Sequence, residues 1–436
     1  MSQRLSFANL LRCLGKTLEE VPEHRVGTNA QYTIKDAGMA AFSVFHMQSP
    51  SFLAHQRAMQ QAKGRSNAQS IFGMKEIPCD NQIRALLDPV EPSNLNPVFG
   101  EAAQGLEEAG WLDKFRSFHD KLLIAMDGTW YFSSQKIHCD NCNYRTNPDG
   151  TTTYFHAAIT PVIVKSGDKH VIVLEPEFIW PQDGHEKQDC EQEAAKRWIK
   201  THAKRLKAWK VTILGDDLLS RQPFCCLLLE HQLNFILVCK PDSHPELYRW
   251  VDYFDAQGVT GQLTTRCWNG RFAEIYHYRF LNQVPLCGGD DALKVDWCEL
   301  TITKEDTAEI LYRNAFVTHF TVTETNVTDI VRDGRARWKV ENENNNVLKT
   351  KGYHLEHNFG HGQQFLSATL VSLNLLAFLF HTIFDLVDAK YQLLRITLAT
   401  RKTFFNDIRA LTRYFLFQSW DHLLDFMLAQ LELAPP

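Results

Sequence analysis

The chain has 436 residues, of which 44% are apolar and 22% charged; these ordinary globular values exclude a wholly disordered protein and suit two or three domains. The net charge of −5 does not indicate a nucleic-acid-binding protein, although a sum over the whole chain can hide a basic surface. Eleven cysteines at irregular spacings, without a recognisable signal peptide, favour a reducing cytosol over a disulfide framework.

Residues 1–115 are predicted to be helical. Apolar side chains recur at helical spacing between residues 34 and 45. The stretch from Ser66 to Asp88 contains two short helical pieces with a glycine and a proline between them, and Asp80 is the expected N-cap of the second. This pair is a candidate helix-turn-helix, and two interpretations stay open: packed helices without DNA contact, or a unit that reads DNA.

From Lys121 onward the pattern is typical of strands. The first apolar run ends in Asp127-Gly128-Thr129, a sequence that predicts a turn in which Asp127 is exposed. Further strands are predicted at residues 152–164 and 170–174, with a turn at 147–150 between neighbouring strands. Together they predict an antiparallel meander.

A basic helix follows, from about Gln188 to Trp209. No acidic residue interrupts it between Ala194 and Leu214. Such a run is either a solvated helix face or a track for the DNA backbone. Its basic residues are Lys196, Arg197, Lys200, Lys204, Arg205, Lys207 and Lys210.

An apolar strand at residues 211–214 then leads to Asp216, and another is predicted from Phe235 to Cys239. This strand, helix, strand alternation predicts α/β topology with parallel neighbours. Residues 264–325 return to strand periodicity and suggest an all-β insertion. The apolar run at 365–380 falls short of the roughly 20 residues of a membrane span and predicts a buried core helix.

Three carboxylates stand out by position. Asp127 and Asp216 each follow an apolar strand, and Glu341 lies on a predicted helix one turn after Arg337, with Trp338 expected to face the core. Clustered carboxylates repel one another and raise each other's pKa unless a divalent cation is bound. Mg²⁺ prefers such oxygen ligands, and two ions can promote in-line displacement at a phosphodiester.

The order strand-Asp, strand-Asp, helix-Glu resembles that of the RNase H-like nucleotidyl transferases. Within that group the chain is similar to bacterial insertion-sequence DDE transposases of the branch with a β-rich insertion before the catalytic glutamate. The likeness rests on AMDGT around Asp127, ILGDD around Asp216 and RWKVENENNNVLK around Glu341, and covers about residues 121 to 385. Asp216 is favoured over Asp217 because it directly follows the strand.

The resemblance implies an α/β fold: an RNase H-like mixed sheet core with an all-β insertion, flanked by helical N- and C-terminal regions. The implied divisions are 1–115, a helical candidate DNA-binding region; 116–240, the first part of the core; 241–330, the β-rich insertion; 331–388, the final core helices; and 389–436, a helical region suited to dimerisation.

The resemblance also implies a chemistry: Asp127, Asp216 and Glu341 bind two catalytic Mg²⁺ ions, with Mn²⁺ as a substitute. The implied partners are double-stranded DNA, at the element's terminal inverted repeats and the target, and a second copy of the chain. No membrane is implied, and the expected location is the cytoplasm of a bacterium, at the nucleoid. The candidate DNA contacts are Arg337, Lys349, Lys351, Arg335, Lys200 and Lys204.

The sequence departs from this branch at two positions. The branch commonly has a tyrosine seven residues before the glutamate and a lysine seven residues after it, where this chain has Gly334 and Leu348. Lys349 and Lys351 are close enough to replace the lysine, whereas the tyrosine has no local replacement.

Two further groups are candidate ligands. The sequence HCDNC places Cys139 and Cys142 at the spacing of half a zinc site, next to His138, with His156, His185 and Cys190 as candidates for the other half. Ordinary reduced cysteines are the alternative. His354, His357 and His361 favour phosphate contact or helix capping over metal binding.

The function expected from these residues is DNA cleavage at the ends of a mobile element, followed by strand transfer into target DNA. Two alternatives stay open. One is a catalytically inactive or repurposed RNase H-like DNA-binding protein, and the other is a host metal-dependent nuclease without strand transfer.

Overall fold

The computed structural model describes residues 3–25, 31–60, 66–74, 76–181, 190–434 and 436. Within these ranges the protein is of the α/β class, as the sequence predicts. The helices are α1 (Phe7–Glu19), α2 (Ile34–His46), α3 (Phe52–Gln60), α4 (Asn67–Phe72), α5 (Asp80–Leu87), α6 (Asn96–Glu108), α7 (Glu191–Ala208), α8 (Gln222–Glu230), α9 (Pro245–Ala256), α10 (Val327–Arg335), α11 (Asn346–Thr350), α12 (Leu366–Val387), α13 (Ala389–Thr397), α14 (Arg401–Tyr414) and α15 (Trp420–Gln430).

The strands form two sheets. They are β1 (Leu122–Ala125), β2 (Gly128–Ser134), β3 (Asn143–Thr146), β4 (Thr152–Ile159), β5 (Val162–Val164), β6 (Ile172–Val173), β7 (Glu177–Ile179), β8 (Val211–Gly215), β9 (Asn234–Val238), β10 (Gly261–Trp268), β11 (Ala273–Pro285), β12 (Lys294–Lys304) and β13 (Ile310–Thr318).

The main sheet has nine strands in the order β10-β11-β12-β13-β9-β8-β1-β5-β6. Its centre is parallel, since β1 pairs with β8 and β8 with β9 in the same direction. On the other side of β1, strands β5 and β6 run antiparallel. Strands β1 and β8 are buried along their whole length, and this accounts for their unbroken apolar sequences.

The second sheet is small and inserted directly after Asp127. Strand β4 pairs with β2 along one edge, and with β3 and then β7 along the other. The prediction of a turn at Asp127-Gly128-Thr129 is wrong, because β2 begins at Gly128 and the chain passes straight from one sheet into the other. The single strand predicted at residues 152–164 is likewise two strands, one in each sheet, separated at Thr160-Pro161.

The strands of the predicted β insertion continue the main sheet. Strand β13 lies antiparallel beside β9, and β12, β11 and β10 follow in turn to the outer edge. The insertion and the parallel centre therefore share one hydrogen-bonded sheet, with α10 packed across β9 and β12.

The remaining helices form a layer in which N- and C-terminal segments mix. Helix α12 packs against α2, and α14 packs against α3. Helix α12 is long and apolar enough to cross a membrane, but 89% of its most apolar 18-residue window is buried in the protein. This burial confirms the predicted core helix.

The candidate helix-turn-helix consists of α4 and α5. Its second helix begins differently from the prediction: Cys79 is the N-cap and Asp80 is already helical. Arg84 of α5 donates a hydrogen bond to the Phe359 carbonyl (2.9 Å), and Asp88 accepts backbone N–H bonds from the start of α12. These contacts fasten α5 to the protein's own core.

Candidate active site

Asp127 lies where the chain leaves β1 for β2. Its carbonyl accepts a hydrogen bond from the Thr160 N–H (3.1 Å), which fixes the crossing between the two sheets. Its side chain is 17% exposed. Asp127 is thus a mostly buried carboxylate at the carboxyl end of a central strand.

Asp216 follows β8, the parallel neighbour of β1, so that both aspartates emerge from the same edge of the sheet. One Asp216 carboxylate oxygen accepts the Leu218 N–H (3.0 Å). Among the contacts of the described residues, this bond alone orients the carboxylate. Asp217 is engaged elsewhere: it accepts the Lys240 N–H (2.6 Å) and the Ser243 hydroxyl. Asp217 therefore ties two loops together, which supports the choice of Asp216 as the site residue.

Glu341 lies on a π-helical turn, Val340–Asn345, that continues the helical path from α10 into α11. Such turns occur mostly as single insertions in helices and often at functional sites. The prediction that Trp338 faces the core is wrong: its side chain is 53% exposed. The chain makes a turn at Ala336-Arg337, so that Arg337 and Val340 point inward in place of Trp338.

Arg337 connects the first and third carboxylates. Its Nη1 donates to Glu341 Oε1 (2.9 Å) and lies 3.8 Å from Asp127 Oδ2. The Arg337 side chain is only 12% exposed, and its Nε is buried without a hydrogen-bond partner among the described residues. Arg337 is therefore not positioned as a surface contact for DNA; it is a buried cation between two acids.

The charges of the other predicted residues act on Asp127. Burial raises the pKa of Asp127 to about 7, and although the nearby Arg337 lowers it, the negative charges of Glu341, Asp216 and Glu191 raise it further. Like charges near one another are costly without a cation. The carboxylates that follow β8 and lie on the π-helical turn are thus both near enough to influence Asp127.

Glu191 is a fourth carboxylate that the sequence analysis missed. It is the first residue of α7, and burial together with the charge of Asp216 raises its pKa. Its carboxylate lies against Gly128, where a Cβ would fall 2.3 Å from Glu191 Cδ. An acid in the first turn of a helix is common because the helix dipole favours it, so the sequence carried no distinguishing signal.

The donor types are those that a divalent cation prefers, since they are hard carboxylate oxygens from separate segments of the chain. Arg337 lies beside two of them and partly compensates their charge. The acids are not in ligand-to-ligand contact: among the described residues, the group whose ligating atoms all lie within 4.8 Å of one another is a cysteine and histidine cluster elsewhere.

The candidate DNA contacts fall on different surfaces. Lys200 and Lys204 are exposed on α7, one helical turn apart. Several other basic residues of that helix pair with acids, as Arg205 does with Glu175 (2.5 Å). Arg335 is exposed with its guanidinium over the Tyr312 ring, and Lys351 is exposed, whereas Lys349 pairs with Glu356 (2.9 Å).

Packing accounts for Gly334 and Leu348, the two residues that depart from the pattern of the transposase branch that the chain resembles. A Cβ on Gly334 would lie 2.9 Å from Ile236 and from the Phe316 ring, so α10 approaches the sheet too closely for a tyrosine. Leu348 is fully buried, a position where a lysine would lose its hydration.

The predicted zinc ligands divide into two groups. Cys139, Cys142 and His156 come together, joined by His361, for which the sequence favoured phosphate contact or capping. His138 stacks on Tyr154 instead, and Cys190 is the exposed N-cap of α7. His185 lies outside the described residues.

Comparison with protein-family models and curated proteins assigns neither a family nor a function to the chain. No protein-family model matches the chain, and no curated protein matches it significantly.

Proposed function

We propose that this protein is a DDE-type transposase with an RNase H-like core, in which Asp127, Asp216 and Glu341 hold the catalytic metal ions. The observation that carries the proposal is the electrostatic interaction of Asp127 with both Asp216 and Glu341, residues far apart in the sequence. A mostly buried carboxylate with a raised pKa near other acids is typical of a functional site.

The strand order supports the proposed core. Strand β6 is antiparallel to β5, and β5 is antiparallel to β1, whereas β8 and β9 continue the sheet in parallel on the other side of β1. The resemblance implies an aspartate after each of two strands. Here those strands are β1 and β8, which precede Asp127 and Asp216 and lie side by side at the parallel centre of the sheet.

The proposed reaction is in-line displacement. Water attacks a phosphodiester at the element end, and the freed 3′ hydroxyl then attacks a target phosphate. Mg²⁺ held by Asp127, Asp216 and Glu341 would supply activation of the attacking oxygen and stabilisation of the leaving one. Arg337 orients Asp127 and Glu341, and exposed Lys200, Lys204 and Lys351 bind phosphates. Pairing of two element ends calls for at least a dimer.

The test is a cleavage assay on supercoiled plasmid carrying the DNA on either side of the gene. The full chain should nick and join this DNA only with Mg²⁺ or Mn²⁺, and Asp127→Asn, Asp216→Asn and Glu341→Gln should abolish both steps while retaining DNA binding in a gel shift. Cutting that persists in Asp127→Asn would overturn the site.

Glu343→Gln is the matched control. Glu343 shares the π-helical turn with Glu341 but lines a different cavity, with His170 and Asp385. It should leave cleavage unchanged. DNA binding without cutting in the wild-type protein would favour the inactive DNA-binding alternative, and cutting without joining would favour a host nuclease.

A further inference from the structure

Two cysteines and two histidines from three segments of the chain lie together at the small sheet. Cys139 and Cys142 lie in the connection between β2 and β3, and His156 is on β4. His361 comes from the segment between α11 and α12, which follows Glu341 in the chain. The ligating atoms of all four residues lie within 4.8 Å of one another.

The distances between these atoms are those of a tetrahedron around one ion. The two sulfurs are 3.9 Å apart, and Nε2 of His156 lies 3.7 Å from Cys139 Sγ and 3.5 Å from Cys142 Sγ. Nε2 of His361 lies 3.7 Å from Cys142 Sγ. Tetrahedral zinc with its usual bond lengths separates two sulfurs by about 3.8 Å and a sulfur from a nitrogen by about 3.6 Å.

The local structure presents both sulfurs to one point. The Cys142 N–H donates to the Cys139 carbonyl (3.1 Å), which closes a tight turn, and the Cys139 N–H donates to Cys142 Sγ (3.4 Å). Cys142, His156 and His361 are buried, and Cys139 is partly buried.

Packing orients the two rings. His361 lies against Phe132 with centroids 4.3 Å apart, and His156 stacks parallel to Tyr131 at 5.7 Å. The Nδ1 atoms of both rings are buried without hydrogen-bond partners among the described residues. The aromatic neighbours therefore aim both Nε2 atoms at the sulfurs.

We propose that Cys139, Cys142, His156 and His361 bind one structural Zn²⁺ ion in a closed Cys₂His₂ site. Four protein ligands complete the tetrahedron and leave no position for substrate. The ion joins the sheet that begins after Asp127 to the segment that follows Glu341, where Asn141 also donates to the Gln364 carbonyl (2.8 Å). The ion therefore links two parts of the chain that follow the candidate catalytic residues Asp127 and Glu341.

The test is the metal content of the full chain, purified without added metal or chelator. We expect about one zinc per chain, and a loss of most of it in Cys142→Ser and in His361→Ala. His361→Cys keeps four ligands and should retain zinc. His138→Ala is the matched control, because His138 adjoins Cys139 but stacks on Tyr154 outside the cluster.

A second measurement uses the wild-type protein, so its result does not depend on whether a variant folds. Cobalt exchanged into the wild-type protein should give the strong visible absorption of a tetrahedral site and a thiolate charge-transfer band, and a mercurial reagent should release the metal. Wild-type protein without metal, with a Cys139–Cys142 disulfide in its mass spectrum, would overturn the proposal. Iron in place of zinc, or zinc retained by both Cys142→Ser and His361→Ala, would also overturn it.

Discussion

The Glu191 carboxylate lies against Gly128, the residue that follows Asp127, so closely that no side chain fits between them. A Cβ at Gly128 would meet the far end of a flexible side chain, which can swing away. Gly128→Ala should therefore change the free energy of unfolding by less than about 1 kcal/mol, since the clash is relieved by one rotamer change. The same substitution should move Glu191 away from Asp216 and lower the Mg²⁺-dependent cleavage rate.

Chemical denaturation and the plasmid assay measure the two effects. Glu191→Gln is the companion variant: it removes the charge without the clash and should reproduce the loss of cleavage. A Gly128→Ala protein with normal cleavage would show that Glu191 has no part in the site.

Mutation of Asp216 should affect cleavage, whereas mutation of Asp217 should affect stability. Asp217→Asn weakens the bonds to the Lys240 N–H and the Ser243 hydroxyl and should destabilise the protein by about 1–2 kcal/mol, the usual cost of impairing a partly buried hydrogen-bonded charge. Asp216→Asn should leave stability nearly unchanged and abolish cleavage. Thermal unfolding together with the cleavage assay decides this, and the reverse pattern would make Asp217 the site residue.

The pKa of Asp127 predicts a dependence of stability on pH in metal-free protein. Its folded value of about 7 lies above the ordinary 3.8, so the folded protein holds a proton that the unfolded chain has released between these two values. The free energy of unfolding should therefore fall as pH rises from about 4 to about 7 and stay low above that. Asp127→Asn should remove this fall and be more stable at pH 8 by up to about 4 kcal/mol.

Urea unfolding in the presence of a chelator at pH 4 and pH 8 measures the difference. Added Mg²⁺ should stabilise the wild-type protein at pH 8 more than the Asp127→Asn variant, since a ligand stabilises the state that binds it. Equal pH dependence of the two proteins would contradict the assigned pKa.

Gly334 allows α10 to lie close to the sheet. An added Cβ would come within 2.9 Å of Ile236 and the Phe316 ring, and neither is a flexible chain end. Gly334→Ala should destabilise the protein by about 1–3 kcal/mol, as overpacking of a core does. Gly100→Ala is the control for the loss of glycine's backbone freedom alone, because Gly100 is also helical, in α6, and a Cβ there would make only an ordinary contact, 3.7 Å from Glu175 Oε1.

Much of the fold follows from the sequence because its elements have strong local signals. The unbroken apolar runs that became β1, β8 and β9 are typical of buried parallel strands, and α12 was recognisable as a core helix. The path of the chain at Asp127-Gly128 was not predictable, since a local Asp-Gly signal does not distinguish a turn from a crossing between sheets.

The site could be predicted only in part. The position of Asp216 directly after a strand set it apart from Asp217, whose carboxylate accepts bonds from Lys240 and Ser243 in the structure. His361 could not be linked to Cys139 because more than two hundred residues separate them, and spacing reveals metal ligands only when they are close in sequence. Trp338 was misplaced because the turn at Ala336-Arg337 interrupts the helix and shifts the register on which the helical prediction depended.

Asn67 accepts the Phe417 N–H (2.9 Å) and donates to the carbonyls of Thr412 and Phe415, residues about 350 positions later. Helices α1 to α3 share their apolar contacts with α12 and α14. During synthesis on the ribosome, α1 to α3 emerge before α12 and α14, so their apolar faces stay exposed until those helices follow. A nascent chain that stalls before α14 would present part of this surface to chaperones and proteases.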